Sequence, residues 1–405
     1  MSLQPGQRLR SCGRLPARCA TQVTRRQPLV VSPCLPLLLL MLLLLGGCHS
    51  GDSRTPTDED PLVISAALDL DVVAPLLDAF RQAYPQIPLR FEDRTTREVD
   101  DSVVGHLQGG QATGEGASRA PDVVISSAMP WQMARVNEGL ARRLNGPEIE
   151  RWPEWARWRD EVFAFTFEPV VMAYRLDLSR HMLPPQTHGD LHALLATQAR
   201  WLTGKVTTYS PLSSGVGYTL AQQDARYSSR FWELVGAMGR VDTRLETTTR
   251  AMLEGLSQGR YWLGYNLLGS YAMVYAQEHP EVIVQVPRDY SLVLMRMAFV
   301  HRDAPHVEAA ETFVRFLLSQ RGQRVLAGQT PLFSVLPGVT GPYTAARLRT
   351  QVGERLYPIL PNATLLAFVD PARREAFADH WRARFQGEPA ANDAVERGSG
   401  ALAPE

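Results

Sequence analysis

The pattern that most constrains the fold is an alternation of short apolar runs with amphipathic segments, which begins near residue 61. Each apolar run has the length of a buried strand, and each is followed by a segment with helical periodicity. The predicted strands are 61–66, 87–92 and 122–125, and the predicted helices are 72–84, 100–107 and 129–137. Strands that alternate with helices form a largely parallel sheet covered by helices, so the pattern predicts an α/β fold.

Two longer extended segments, residues 162–174 and 290–300, divide the rest of the chain. Both are apolar, as expected for a chain that crosses to a second lobe and later returns. We therefore predict lobe 1 from residues 61–161 and 291–335, lobe 2 from residues 162–290, a C-terminal helical segment 336–386 and a disordered tail 387–405. The further predicted elements are strands 205–209 and 261–265 and helices 188–198 (capped by Thr187), 218 onward, 247–258 and 307–326.

The first 47 residues predict a targeting segment rather than part of the fold. Six arginines and no acidic residue precede Asp52, and an apolar run occupies residues 35–45. That run is too short to span a bilayer, which needs about 20 residues, and Leu45-Gly46-Gly47-Cys48 follows it. We predict a lipoprotein signal peptide (1–47), lipidation of Cys48 and a flexible tether (48–60), which places the protein on a bacterial membrane by a lipid anchor. A signal peptide that merely ends near a cysteine is the alternative.

Cysteine positions and charge exclude several kinds of function. All four cysteines lie at or before residue 48, so the predicted mature chain has no disulfide framework and no cysteine nucleophile. Removing the six N-terminal arginines from the 42 basic side chains leaves 36 against 42 acidic ones. A body that is mildly acidic overall is not typical of a nucleic-acid binder, so we expect no nucleic-acid partner.

Four sequence blocks together resemble the extracellular solute-binding proteins of ABC importers, most closely the branch for ferric iron and phosphorylated solutes. They are Asp122-Val-Val-Ile-Ser-Ser127, Pro211-Leu-Ser-Ser-Gly-Val-Gly217, Gly264-Tyr-Asn-Leu-Leu-Gly-Ser-Tyr-Ala272 and Phe316-Leu-Leu-Ser-Gln-Arg-Gly-Gln-Arg-Val-Leu-Ala327. The resemblance, which also includes the phosphoglycerate transport regulatory protein, covers about two-thirds of the chain. It implies a two-lobed periplasmic-binding-protein fold with extended hinge strands, a small solute and an ABC permease as partners, a periplasmic location, no catalysis and no cofactor.

Two serine-rich turns are the predicted solute site. Ser126 and Ser127 follow a strand, while Ser213, Ser214 and Gly215 precede a helix. Hydroxyl groups and the free amide groups of a helix N-terminus bind oxyanions, and glycine lets an anion approach the backbone. Ordinary helix capping is the alternative for each pair. The chain has a single lysine, Lys205, so arginines must supply the charge, and the candidates in loops are Arg94, Arg97 and Arg288.

Tyr265 and Asn266 complete the predicted site, because the resemblance implies that the matching strand end contacts the solute. A buried tyrosine beside a capping asparagine is the alternative. Iron-binding members of the family use two adjacent tyrosines, whereas Tyr265, Tyr271 and Tyr275 are spread out. We therefore predict a small organic phosphate or carboxylate as the solute, with ferric iron as the alternative.

Two other functions stay open at this point. The regulatory branch of the family implies that the closed protein could report its solute to a sensor kinase. An exported serine hydrolase is the other, because Gly255-Leu-Ser257-Gln-Gly259 matches the Gly-x-Ser-x-Gly motif. That motif needs a strand before the serine and a helix after it, and the pattern here predicts the reverse order.

Overall fold

The computed structural model describes residues 60–108 and 119–387. The predicted signal peptide, Cys48, the tether up to residue 59 and the tail beyond residue 387 lie outside the described residues. Within the described ranges, no helix combines the length and the apolar character needed to cross a bilayer.

Lobe 1 is built on a six-stranded sheet. Its strands are β1 (Leu62–Ala66), β2 (Leu89–Asp93), β3 (Val123–Ser126), β4 (Arg157–Trp158), β5 (Val162–Ala164) and β12 (Met297–Val300). The order is β2-β1-β3-β12-β5-β4, in which β1 pairs in parallel with both of its neighbours and β12 is antiparallel to both of its own. The helices of this lobe are α1 (Leu70–Ala83), α2 (Thr96–Gln108), α3 (Met129–Asn137), α4 (Pro147–Glu150), α12 (Val307–Leu318) and α13 (Gln320–Gln329).

Lobe 2 is built on a second, seven-stranded sheet. Its strands are β6 (Glu168–Arg175), β7 (Val206–Tyr209), β8 (Arg244–Glu246), β9 (Leu263–Leu268), β10 (Val282–Gln285), β11 (Ser291–Leu294) and β13 (Leu356–Pro358). The order is β13-β11-β6-β9-β7-β8, and β10 also pairs with β6. The helices are α5 (Leu176–His181), α6 (His188–Thr197), α7 (Ala199–Leu202), α8 (Gly215–Tyr227), α9 (Phe231–Arg240), α10 (Thr249–Ser257) and α11 (Gly269–Glu278). The predicted α/β fold with two lobes is confirmed.

The C-terminal segment adds two helices and a strand. After α14 (Ala345–Val352), β13 joins the edge of the second sheet, and α15 (Pro371–Gln386) packs along α9. Phe377 and Trp381 of α15 are buried in the apolar cluster of lobe 2. This segment is therefore part of the folded body and contains a strand as well as the predicted helices.

The chain crosses between the lobes three times, the last time between α13 and β13, and the first two crossings lie side by side. One crossing runs from β5 to β6 and the other from β11 to β12. Phe165 N donates to the Arg296 carbonyl at 2.9 Å, and Arg296 N donates to Thr166 Oγ1 at 2.9 Å. Reciprocal hydrogen bonds of this kind align the two crossings, as expected for a hinge of extended strands.

Predicted elements differ from the structure at several points. The predicted helix 307–326 is two helices, because Ser319 has extended backbone and its Oγ accepts from Gly322 N at 3.1 Å, which caps a new helix. The extended run 290–300 is broken at residues 295 and 296, where the chain changes sheet. The helix predicted from residue 218 begins at Gly215, one residue after its Ser214 cap.

The break at Ser319 brings α13 close to the end of α12. A Cβ placed on Gly322 would lie 2.2 Å from the Phe316 carbonyl oxygen, whereas one on Gly328, in the same helix, would meet nothing within 4 Å. We expect Gly322→Ala to lower the free energy of unfolding by about 1–3 kcal/mol, since the added methyl group forces the two helices apart. Gly328→Ala should raise it by about 0.5–1 kcal/mol, because alanine favours helix. Denaturant unfolding of both variants tests this, and equal effects would contradict the tight approach.

Candidate functional site

A cavity of about 230 Å³ lies between the two lobes at the hinge. From lobe 1 it is lined by the loops that follow β1, β2 and β3, and from lobe 2 by the end of β7, the start of α8 and the loop from β8 into α10. These are the carboxyl ends of parallel strands, where loops lead into helices. The fold thus directs several helix N-termini, with their partial positive charge, towards one cavity.

The two serine turns lie on the facing surfaces of the two lobes. Ser127 is buried and lines the cavity, and Ser126 Oγ accepts from Ala128 N at 3.1 Å. Ser214 caps α8 by accepting from Gly217 N at 3.3 Å, while Ser213 is exposed. Of the four serines, Ser127 alone contributes to the cavity wall. Ser126 and Ser214 stabilise the turns on either side of it.

The two lobes approach each other tightly at Gly215. Its N–H donates to Thr96 Oγ1 across the cleft at 3.1 Å, and a Cβ at this position would lie 2.5 Å from the Ala128 Cβ. A side chain on residue 215 would therefore hold the lobes apart. The sequence predicts that this glycine lets an anion approach the backbone. In the structure, the opposite lobe approaches the backbone at this residue.

Arg296 and Glu168 form an ion pair buried at the hinge. Their side chains are 2% and 1% exposed, and Arg296 Nε lies 2.9 Å from Glu168 Oε1. The guanidinium also donates to the Ala67 carbonyl, and Ser270 Oγ donates to Glu168. Burial opposes the charge of Arg296, but Glu168 and Tyr271 raise its pKa above the usual arginine value. Arg296 also lines the cavity, so a guanidinium whose charge is balanced by Glu168 forms part of the cavity wall.

Arg250 carries a second positive charge and links the two lobes. Its guanidinium binds Asp69 at 2.6 Å and Asp71 at 2.9 Å, both at the start of α1. Tyr271 supports the same contact, since its hydroxyl donates to Asp69 Oδ1 at 3.1 Å and accepts from Asp69 N at 3.2 Å. The Arg250 side chain is 47% exposed, so it can exchange partners at little cost.

The predicted arginines divide into one that lines the cavity and two that do not. Arg94 lines the cavity and pairs with Glu92 at 2.7 Å. Arg97 lies over the Trp131 ring, and Arg288 is exposed outside the lining. The sequence prediction did not include Arg250 and Arg296. The residues around Arg250 have the pattern of a helix start, and those around Arg296 have the pattern of an apolar strand.

Tyr265 and Asn266 lie in the interior of lobe 2 and not at the cavity. The prediction that their strand ends at residue 265 is wrong, because β9 continues to Leu268 through Asn266 at φ 62°. The Tyr265 hydroxyl and Asn266 Nδ2 donate to the buried Asp224 carboxylate at 2.7 and 2.6 Å. Their side chains therefore satisfy an internal acidic group, and neither belongs to the lining of the cavity.

The remaining candidates concern metal binding and hydrolysis. Across the described part of the chain, no three His, Cys, Asp or Glu side chains are grouped so that they could hold a metal ion. Ser257 ends helix α10, and its Oγ lies 2.7 Å from the Tyr275 hydroxyl. A helix precedes this serine and a strand follows it, which is the reverse of a nucleophile elbow.

Residues 71–329 match the model of a family described as bacterial extracellular solute-binding protein. The chain is 32% identical to the substrate-binding protein of an ABC transporter from Agrobacterium tumefaciens, with a TM-score of 0.76 over 82% of this chain and 96% of that one. No curated protein matches the sequence.

Two more distant solved structures share the fold. Iron-bound HitA from Pseudomonas aeruginosa is 16% identical, with a TM-score of 0.61 over 80% of this chain and 99% of that one. AfuA from Actinobacillus pleuropneumoniae, with exogenous fructose-6-phosphate bound, is 15% identical, with a TM-score of 0.59 over 81% of this chain and 96% of that one.

Asp93 provides a test of the charge balance in the cavity. Burial, together with the nearby Asp69 and Asp71 carboxylates, raises its pKa above the usual value. Because the pKa of this carboxyl is higher in the folded than in the unfolded protein, its ionisation destabilises the fold. The loss of stability develops as the pH rises from the unfolded-state pKa to the folded-state pKa, and it is absent below both pKa values. We expect Asp93→Asn to raise Tm at neutral pH, with the gain vanishing below about pH 4.

Thermal unfolding as a function of pH measures this effect, with Asp101→Asn on the exposed side of α2 as the control for loss of one charge. A gain in Tm that is the same at every pH, or a loss at neutral pH, would contradict the placement of Asp93 among like charges.

Proposed function

The chain belongs to the bacterial extracellular solute-binding proteins, the family of solute-binding components of ABC transporters, and we propose that it captures a small oxyanionic solute for import. The solute class is an organic phosphate or carboxylate, held in the cavity between the lobes. The observation that carries this proposal is Arg296, a charged guanidinium buried in the cavity wall with its counter-ion Glu168 behind it. A fixed buried cation favours an anionic guest in a site of low dielectric.

The more exposed arginines support the same solute class. Arg250 and Arg94 are 47% and 37% exposed, and each already binds carboxylates of the chain itself. Exposed ion pairs contribute little stability, so a solute carboxylate or phosphate can replace Asp71 or Glu92 as the partner. We propose that the solute takes over these contacts and so links the two lobes more firmly than Asp69 and Asp71 do.

Hydroxyl and amide groups supply the remaining contacts in this proposal. Ser127 from lobe 1 and the first turns of α8 and α10 from lobe 2 line the cavity. We propose that Ser127 and the loop that ends at Thr249 donate to the solute oxygens, and that Ser126, Ser214 and Gly215 position these groups. A solute with contacts to both lobes favours the closed arrangement over the open one.

Ferric iron is the competing solute, and the tyrosines of the cavity argue against it. Fe(III) selects several anionic oxygen ligands, among which phenolates require deprotonated tyrosines. Burial raises the pKa of both Tyr209 and Tyr271 above the ordinary tyrosine value. The Tyr209 hydroxyl is also paired with Thr249 Oγ1 and the Tyr271 hydroxyl with Asp69. Both hydroxyls are thus already engaged within the protein, whereas an oxyanion needs no change in their protonation.

Lipidation of Cys48 and a role in signalling to a sensor kinase are additional proposals that rest on the sequence. If Cys48 carries the lipid anchor, Cys48→Ser should move the protein from the membrane fraction to the soluble fraction. Cys34→Ser, within the predicted signal peptide, should leave it in the membrane fraction. Cell fractionation with immunodetection measures this, and membrane retention of the Cys48 variant would contradict the anchor.

A titration of arginine variants tests the solute class. Calorimetry with sugar phosphates, small carboxylates and ferric citrate should show binding of at least one phosphate or carboxylate without iron. Arg250→Gln should weaken that binding by about ten- to a hundredfold, because a charge-assisted contact contributes about 1.5–3 kcal/mol. Arg81→Gln is the matched control, since Arg81 pairs with Asp78 on α1 and does not line the cavity.

Two results would contradict the proposal. One is binding of ferric iron alone, accompanied by a visible tyrosinate-to-iron absorption band. The other is anion binding that Arg250→Gln and Arg81→Gln reduce to the same extent, since the anion would then bind elsewhere.

A further inference from the structure

A second concave region, which we call the side groove, adjoins the cavity and has a volume of about 510 Å³. Arg250 and Tyr271 line both the cavity and the side groove. The other walls of the groove include Val72, Leu253, Val274, Tyr275, Pro331 and Tyr343. Val72 belongs to α1 of lobe 1, whereas Leu253 and Val274 belong to α10 and α11 of lobe 2. The side groove is therefore shaped by the same approach of the lobes as the cavity.

The partition between the two spaces consists of a few side chains. It comprises Arg250 with its partners Asp69 and Asp71, and the ring of Tyr271. Asp71 is 66% exposed and Arg250 is 47% exposed, so both side chains can rotate away. A solute that takes Arg250 from Asp71 would at the same time open the way from the cavity into the groove.

The chemistry of the side groove differs from that of the cavity. Four aliphatic or proline side chains and the faces of tyrosine rings form its walls. The Tyr275 hydroxyl is paired with Ser257 Oγ at 2.7 Å, so that ring contributes mainly its apolar surface. Arg250 is the one cationic side chain among the described residues of the lining, and the carboxylates Asp71 and Glu278 are exposed at its edge. Such walls suit an apolar group and repel a second anionic one.

We infer that the solute has two parts: an oxyanionic head in the cavity and an aromatic or aliphatic tail in the side groove, with Arg250 between them. This inference rests on the proposed function, because it needs the anionic head to be placed first. The tail contacts both lobes, so its burial occurs only when they are closed. Recognition of the tail therefore adds to affinity through the closed state, and the head alone binds more weakly.

Calorimetric titration of the full chain with matched pairs of probes tests the inference. The pairs are inorganic phosphate with phenyl phosphate, and acetate with phenylacetate. In the pair whose head binds, we expect the aryl compound to bind about tenfold more tightly or better, as burial of a ring implies. Glycerol phosphate serves as a third phosphate, and its uncharged polar hydroxyl groups should give no such gain.

Two variants of Val274 localise the gain, because Val274 lines the groove and not the cavity. Val274→Trp fills the groove and should remove the advantage of the aryl compound, with the affinity for inorganic phosphate or acetate within about twofold of the original. Val274→Asp adds a charge without added bulk and should also remove the advantage of the aryl compound. This second variant provides the test if the larger Val274→Trp variant does not fold. Ala193→Trp, on the exposed face of α6, is the control for an added tryptophan.

The outcomes separate this inference from the proposed function. Binding of phosphate or acetate without any gain in affinity from the aryl group would contradict binding of a tail in the side groove. It would leave the oxyanion proposal unaffected. A gain for glycerol phosphate alone, or an aryl gain that both Val274 variants retain, would also overturn this inference. Absence of binding by every phosphate and carboxylate probe would overturn both.

Discussion

The ion pair between Arg296 and Glu168 is the interaction on which the architecture depends. Each partner stands on one of the first two chain crossings, and both side chains are almost fully buried. Loss of either partner would leave an uncompensated charge in the interior, at a cost of about 3–5 kcal/mol. The pair therefore fixes the two crossings against each other. Through the contact of Arg296 with the Ala67 carbonyl, it also fixes the loop that leads into α1.

The same pair explains why the cavity has groups with two distinct roles. Glu168 holds Arg296 in place, so that this guanidinium contributes position and charge without moving. Arg250 is half-exposed and bound to carboxylates of the opposite lobe, so in the proposed function its contacts change when the solute binds. A site that combines one fixed cation with one exchangeable cation can couple binding to closure, because the exchange takes place across the boundary between the lobes.

Local sequence patterns predicted most helices and strands. The site residues that these patterns did not predict are defined by contacts between residues distant in sequence. The alternation of apolar and amphipathic segments gave the α/β fold and the two extended crossings, since strand and helix periodicity are local properties. Arg250 and Arg296 pair with residues far away in the chain, so nothing near them marks them as site residues. Tyr265 and Asn266 resembled a strand end, whereas the buried Asp224 holds them in the interior. Ser319 looked helical because the apolar stripe continues through it, although its hydroxyl begins a new helix.

The most direct measurement is native mass spectrometry of the protein purified from its own cells without denaturant or chelator. We expect a protein species with the added mass of one small organic molecule, which is released on unfolding and carries a phosphate or carboxylate group. The adduct should be absent when the protein is purified after exchange through mild denaturant. An adduct of iron, or of a neutral or purely cationic molecule, would contradict the claim that a fixed arginine in the cleft selects an oxyanion.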